Sequence, residues 1–518
     1  MPTAGRLIAS ARLIALLTLA SRALGLAREC LFGYFFATSE LLSAFRIAFM
    51  LPNLARRLFG EGALSAAMIP VLTESLERDG ERSTRQFIGS LLTAQVAVLV
   101  VLVIAAEVVI AAWRHFQTDL ALDLAALLMP YMGLICTTAM ISGVLNVRGH
   151  FAAPACSPMI LNTGVIVAAL GGAFYADLHG ADLLYAICGG VLVAGALQIL
   201  IVGGTLRAIG FFPTRGGTWR DPRIRRVAIL AGPMLLGISA VQINSLADHV
   251  IAYLFIVRDG QRMGPAVLGY AQFLYQLPLG VFGIAIATAI FPVLSLRIAR
   301  NDRAGMADVL AQGIRLSLFV ALPASVGLLF VAHPLVAALY QRGEFDAAAT
   351  QRVAGTLFFY ALGITAYFTQ HLLARAFYSM HDSRTPARIA LWMVGMNFLM
   401  NLALVFVLQE RGLALATAVC AMIQVLLLSR RLTRALPQLA WGSIARSVAK
   451  MLLATSIMAG VLAALMVPDV TARWLEDSPV LRLALLVFAG VASYGLASRA
   501  LSTEELTTLL HRERSQAD

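Results

Sequence analysis

Residues 21–29 read SRALGLARE, and residues 53–62 read NLARRLFGEG. The first places Arg22, Arg28 and Glu29, and the second Arg56, Arg57 and Glu61, inside stretches otherwise apolar enough to cross a membrane. An arginine at the centre of a bilayer costs on the order of 3 kcal/mol even on the gentlest scale. At about 100° per residue, Ser21, Arg22, Gly25, Arg28 and Glu29 share an arc of roughly 120° on one helix. Ser43, Arg46, Asn53, Arg56, Arg57, Gly60 and Glu61 share roughly 140° on the next, where Pro52 can kink the register. Two successive helices therefore carry one polar stripe each, and the stripes must face water, each other or a ligand. The competing reading is snorkelling of Arg56 and Arg57 at a helix end, with a local Arg28–Glu29 pairing. Arginine's planar fork grips phosphate oxygens two at a time, so a phosphate or diphosphate head group is the natural occupant of a cationic stripe.

The rest of the chain agrees with a membrane reading. Of 518 residues 59 % are hydrophobic and 13 % charged, against about 25 % charged in a soluble domain. Apolar runs of about 18–25 residues recur throughout. They predict fourteen helices, near 10–36, 41–73, 86–112, 124–146, 155–176, 183–206, 225–256, 264–296, 312–338, 352–375, 386–408, 412–430, 445–467 and 481–501. The N-terminal stretch has the makings of a signal peptide, but Arg22 and Arg28 follow at once and it reads as a first spanning helix. With the N-terminus in the cytoplasm, 27 of the 40 basic residues fall in inner segments, 8 outside, and 5 within the first two helices. That asymmetry satisfies the positive-inside rule with both termini cytoplasmic. The net charge of +12 thus reports topology and not a nucleic-acid surface. All basic residues except Lys450 are arginine, and the cysteines, at 30, 136, 156, 188 and 420, lie in apolar segments without metal or disulfide spacing. No loop has room for a soluble catalytic domain, and there is no P-loop, HExxH or GxSxG. The chain reads as a transporter and not an enzyme, with no metal or cofactor expected.

An internal repeat sharpens this. LPNLARRLFGEGALSAAMIPVL (51–72) is echoed by LPLGVFGIAIATAIFPVL (277–294), at an offset of 226 residues at the leading Leu-Pro and 222 at the closing Pro-Val-Leu. NVRGHFAAPA (146–155) pairs with YSMHDSRTPA (378–387) at an offset of 232. Such an offset spans six helices, an even number, so the two copies share one orientation, as in transporters with a site between parallel repeats. The expected fold is an all-α polytopic membrane protein. It has two parallel six-helix lobes, residues 1–210 and 211–435, with two extra helices and a short tail in 436–518. The second copy carries Gln242, Asn244, Ser245, Asp248, His249 and Gln272 in place of the arginines. Asp248 reads as an ion or proton site, or as a hydrogen-bonded packing residue.

SRALGLARE, AFRIAFMLPNLARRLFGEGALSAAMIPVLTE, GVLNVRGHFAAPACSPMILN, GPMLLGISAVQIN, LYQRGEFDAAAT and LARAFYSMHDSRTPARIA occur in that order. Together they resemble the MurJ/MviN lipid II flippases of the MOP exporter superfamily. The resemblance runs over roughly residues 8–430 and is most specific around 51–62. It implies a flippase that carries a lipid-linked peptidoglycan precursor to the outer leaflet of the bacterial cytoplasmic membrane by alternating access. It further implies a central cationic cavity and a groove for the polyprenyl tail between the last two helices. Family arginines that matter match Arg22, Arg28 and Arg56, and a family glutamate matches Glu61. Asn53, Arg46, Arg57 and Ser21 complete the expected substrate-binding set. The partners expected are the lipid-linked glycan, membrane lipids and the cell-wall synthesis machinery, with the chain a monomer. Coupling to the membrane potential or a monovalent cation is the expected source of drive.

Two departures stand out. Leu42-Ser43-Ala44-Phe45 replaces the family's Thr-Asp-Ala-Phe, and Tyr270-Ala271-Gln272-Phe273 replaces its Tyr-Ala-acid-Arg. The second copy thereby loses an acid and a cation. These losses keep open a flippase or exporter for another polyprenyl-diphosphate-linked saccharide, or a transport-dead scaffold. A drug exporter predicts acids where this chain has arginines. A membrane glycosyltransferase predicts acidic pairs in the first outer loop, here only ATSE (37–40).

Overall fold

The computed structural model describes residues 4–60, 63–116, 119–214, 221–467 and 478–506, and Glu61 falls outside that set. The described chain is helical almost throughout. Its first copy runs α1 (Ala4–Phe36), α2 (Glu40–Ala55), a π-helical turn (Arg56–Gly60), α3 (Ala63–Arg78), α4 (Gly80–Arg114), α5 (Leu120–Val147), α6 (Ala152–Tyr175) and α7 (Gly180–Ala208). The second runs α8 (Pro222–Phe255), a two-stranded hairpin β1 (Val257–Arg258) and β2 (Gln261–Arg262), α9 (Gly264–Pro278), a second π-helical turn (Leu279–Gly283) and α10 (Ile284–Ala299). It continues with α11 (Arg303–Tyr340), α12 (Ala347–Leu362), α13 (Ile364–Ser379), α14 (Arg384–Leu408) and α15 (Glu410–Ala435). Helices α16 (Trp441–Leu465) and α17 (Pro479–Ala500) follow.

The order of elements repeats, including its irregularities. The helix expected over 41–73 is interrupted in both copies by a five-residue π turn, and the two turns lie 223 residues apart. A proline precedes each turn, Pro52 in the first copy and Pro278 in the second, and both interrupt the donor ladder of the helix that leads into it. In the second copy the N–H of Ile284 reaches the carbonyl of Leu279, five residues back. The predicted helix over 352–375 likewise consists of α12 and α13, bent by 42° at Gly363. Ten helices among the described residues are long and apolar enough to cross a membrane, and the bent pair makes an eleventh. Where Asp259 and Gly260 turn the hairpin, both take positive φ, 51° and 78°, as an Asp-Gly two-residue turn requires.

By contact the chain forms two compact units, Met1–Tyr253 with Gln261–Pro265, and Leu254–Gly260 with Ala266–Asp518. In the first, α7 packs on α5 and α6, α2 on α5, and α1 on α6. The α6–α7 seam is built from small residues. A Cβ on Gly190 would meet the carbonyl oxygen of Gly164 at 2.9 Å, and one on Gly164 would meet Ala194 at 2.7 Å. Close approach of this kind holds helices together where lipid removes the hydrophobic drive. One end of the unit is filled by Met68, Leu72, Phe87, Val144, Leu206 and Phe211. There Arg223, at the start of α8, donates to Asp221 at 2.7 Å, to Ser75 at 2.9 Å and to Asp79 at 3.0 Å. Arg226 pairs with Glu74 at 2.7 Å. The far end of α8 is tied to the start of α5: Asp119 caps Ala121 and accepts from Tyr253 at 2.6 Å and Arg262 at 2.6 Å. These ties place α8, first helix of the second copy, with the first unit by contact.

The second unit has its own core at the matching sequence positions: Leu294, Met306, Leu310, Phe377, Leu428 and Leu432. Its α11 also carries α16 and α17, through Phe319, Met451, Met458, Leu462 and Tyr494. The Tyr494 hydroxyl donates to the carbonyl of Phe319 at 2.8 Å. Large apolar side chains stay exposed along α4, among them Val98, Val101, Ile104 and Val108, the surface a helix shows to lipid and not to water.

Candidate functional site

Helix α1 carries the first stripe. Gly25 is buried between the levels of Ser21 and Arg28 on the same face, so no side chain stands in the way as Arg28 reaches back toward the helix N-terminus. The guanidinium of Arg28 is shared. One terminal nitrogen donates to Glu29 Oε1 at 2.8 Å and the other to Asn162 Oδ1, on α6, at 2.9 Å. Asn162 is itself buried, and its amide donates to the backbone carbonyl of Ser21 at 3.2 Å.

The second stripe begins with α2, capped by Ser39. Buried Ser43, in the place of the family acid, turns its hydroxyl back to the carbonyl of Ser39 at 3.1 Å. One turn on, Arg46 donates to Glu29 Oε2 at 2.7 Å. Glu29, 3 % exposed, thus lies between two arginines whose side chains are 23 % and 15 % exposed, each holding a different oxygen. A buried carboxylate tolerates its setting when both oxygens are met by charged donors.

Beyond Pro52 the π turn separates the adjacent arginines. Arg56 folds back on Asn53, with Nε and one Nη at 3.1 and 2.9 Å from its Oδ1. Arg57 reaches α8 and donates to Gln242 Oε1 at 2.8 Å. Arg22 is half-buried on the α1 stripe. On α8, Asp248 and His249 are buried, and a ring nitrogen of His249 lies 2.9 Å from the carbonyl of Ser245.

The structure therefore gathers Arg28 and Arg46 on Glu29, pairs Arg56 with Asn53, and brings Arg57 to Gln242. Ser21 contributes its backbone carbonyl, which accepts from Asn162. Two participants were absent from the expected binding set. Asn162 closes the MILN segment of a family-like block, which was the available signal. Glu29 lies on the first stripe, but its bridging role needs the register of α2 on α1. One further cation, Arg375, closes the helix expected over 352–375 and was not in the expected binding set. It stands on α13, donates to Thr288 on α10 at 3.1 Å and lies over the ring of Phe291. In the second unit Gln272 donates to the hydroxyl of Tyr360 at 3.1 Å, and Tyr360 stacks on Tyr275 at 4.7 Å between ring centres. Gln272, where the resemblance led to the expectation of an acid, is thus held by hydrogen-bonded aromatics. Among the described residues no group of His, Cys, Asp and Glu has metal-binding geometry.

Residues 32–484 match the family model described as lipid II flippase MurJ. The chain is 33 % identical over 460 residues to a probable lipid II flippase MurJ from Rhizobium tropici, covering 86 % of this chain and 84 % of that protein. Among solved structures, a lipid II flippase MurJ in an inward closed conformation is similar with a TM-score of 0.77 at 23 % identity, over 94 % of this chain and 98 % of that one. An inward-facing multidrug resistance MATE transporter of the MOP superfamily shares the fold more distantly, with a TM-score of 0.63 at 14 % identity over 81 % and 98 % of the two chains. From the family match and this identity over most of its length, the chain belongs to the MurJ family of lipid II flippases, multi-pass membrane transporters and not enzymes.

Proposed function

We propose that this chain moves lipid II from the inner to the outer leaflet of the bacterial cytoplasmic membrane by alternating access, its diphosphate held by Arg22, Arg28 and Arg56. The observation that carries this reading is the Arg28–Glu29–Arg46 group: two half-buried arginines, one on α1 and one on α2, sharing one buried carboxylate. Arg46, Arg57, Asn53 and Ser21 extend the binding face, with Glu61 carried over from the family pattern. Beside the ten spans and the bent pair, we read α1, α2 with α3, and α8 as three further crossings, which makes fourteen in two six-helix lobes and an appendage. The bias of basic residues supports both termini on the cytoplasmic side. Helices α16 and α17 accommodate the polyprenyl tail, and buried Asp248 is a site for a proton or monovalent cation that, with the membrane potential, drives the cycle. The chain works as a monomer that hands its cargo to the cell-wall synthesis machinery.

A second reading, transport of another polyprenyl-diphosphate-linked saccharide, is favoured by Gln272 and Phe273, which stand where the resemblance expects an acid and an arginine; Gln272 donates to Tyr360 instead. Expression in cells depleted of their own lipid II flippase separates the two. Restored growth supports lipid II. Failure to restore growth, with the protein inserted and able to bind another polyprenyl diphosphate, supports the alternative.

A further inference from the structure

We propose that Glu29 is the residue that makes the first unit select a diphosphate over a single phosphate. This rests on the reading that Arg28 and Arg46 meet the head group. Its carboxylate bridges the two guanidiniums, Oε1 with Arg28 at 2.8 Å and Oε2 with Arg46 at 2.7 Å. A lone phosphate presents a similar pair of oxygens and would bridge the two arginines in the same manner. Glu29 holds that position and is itself shut away, 3 % exposed, while the arginines on either side keep 23 % and 15 % of their side chains open. A head group arriving from the open side cannot bridge them with one phosphate. It has to give each guanidinium a phosphate of its own, which an anhydride-linked pair does and a monoester or diester does not.

The second support is the way Arg28 is held. Asn162 takes its other terminal nitrogen at 2.9 Å and is anchored to the carbonyl of Ser21 at 3.2 Å. The fork is therefore fixed at both ends and does not swing away from Glu29 to follow a single phosphate. The selection has a chemical purpose. A site within a membrane is bathed in phospholipids carrying one phosphate each, and a bare pair of arginines would hold them.

The test uses the full-length purified protein and two probes that differ by one phosphate, farnesyl diphosphate and farnesyl monophosphate, measured by calorimetry. The wild type is expected to prefer the diphosphate by tenfold or more. Glu29→Gln leaves an amide whose NH2 cannot accept from a guanidinium, so one arginine is released to a single phosphate and the ratio is expected to come close to one, chiefly by tightening the monophosphate, a gain that a merely structural role does not produce. Glu29→Asp keeps the charge between the arginines and should retain most of the preference. An unchanged ratio in Glu29→Gln, or equal weakening of both probes, overturns the proposal. Should Glu29→Gln not fold, Arg46→Gln leaves Glu29 paired with Arg28 and should lower diphosphate affinity alone; equal loss of both probes refutes the assignment. If neither probe binds the wild type, the phosphate reading of the arginines falls as well. If both bind it equally, only the role of Glu29 falls.

Discussion

Replacing Arg28 by alanine separates a recognition role from a packing role, because its neighbours are arranged to survive the loss. The substitution removes two hydrogen bonds, to Glu29 at 2.8 Å and to Asn162 at 2.9 Å. Orphaning a buried charge costs about 3–5 kcal/mol, but Glu29 is not orphaned, since Arg46 still holds its other oxygen at 2.7 Å. Asn162 likewise keeps its bond to Ser21. The folding cost is therefore that of bonds lost and not of a bare carboxylate, about 1–3 kcal/mol, and the variant should insert and melt within several degrees of the wild type.

Recognition should suffer more. A charge-assisted hydrogen bond to a phosphate contributes about 1.5–3 kcal/mol, which is roughly ten- to a hundredfold in affinity, and the side chain that offers it is gone. Head-group binding, followed by native mass spectrometry, should weaken by that factor, and flipping in reconstituted vesicles should fall at least as far. Arg28→Lys keeps the charge but loses the fork that spans Glu29 and Asn162, so it should lie between. An Arg28→Ala protein that folds and flips lipid II at the wild-type rate would refute the reasoning. It would show that the charge is buried for architecture alone.

Gly190→Ala and Gly203→Ala form a matched pair on α7: the first drives a Cβ against the Gly164 backbone, and nothing lies within 4 Å of the second. Gly190→Ala should destabilise by about 1–3 kcal/mol and Gly203→Ala should be neutral or slightly stabilising, as read from melting in detergent. Asp221, in the loop before α8, is held below the usual carboxylate range by its hydrogen bonds from Arg223, against the opposing effect of partial burial. Its contribution is present above the unfolded pKa of about 3.9 and is lost as pH falls through the lower folded value. The melting gap between wild type and Asp221→Asn should therefore hold steady from pH 7 to pH 5 and close in more acidic buffer. Phe273→Arg with Gln272→Asp restores the family's charges in the second unit, and Tyr360 remains able to donate to the new carboxylate. The pair should tighten head-group binding roughly tenfold or more, and unchanged binding would mean that this part of the second unit does not meet the head group.

Much of this architecture was legible because a bilayer imposes its own grammar: apolar length, basic loops and a polar stripe that has to be hidden each leave a mark on the sequence. The repeat was visible as LPN and LPL near matching prolines, and the structure gives it a physical form, since each copy opens into a π turn at the same place. What the one-dimensional pattern could not supply was the partner of each stripe. A helical wheel places Arg28 and Glu29 on one face and Arg46 on another, but whether Glu29 neutralises one arginine or joins two depends on how α2 packs beside α1. Asn162 lies 134 residues from the arginine that it orients, and only the fold brings it there. Arg375 shows the converse limit: near the end of a predicted span, a cation inside the helix and a cation in the loop have the same sequence signature. Sequence thus reports where charge must be sheltered, whereas the residues that shelter it are a property of packing. The chemistry argued for Glu29 rests on that second kind of information.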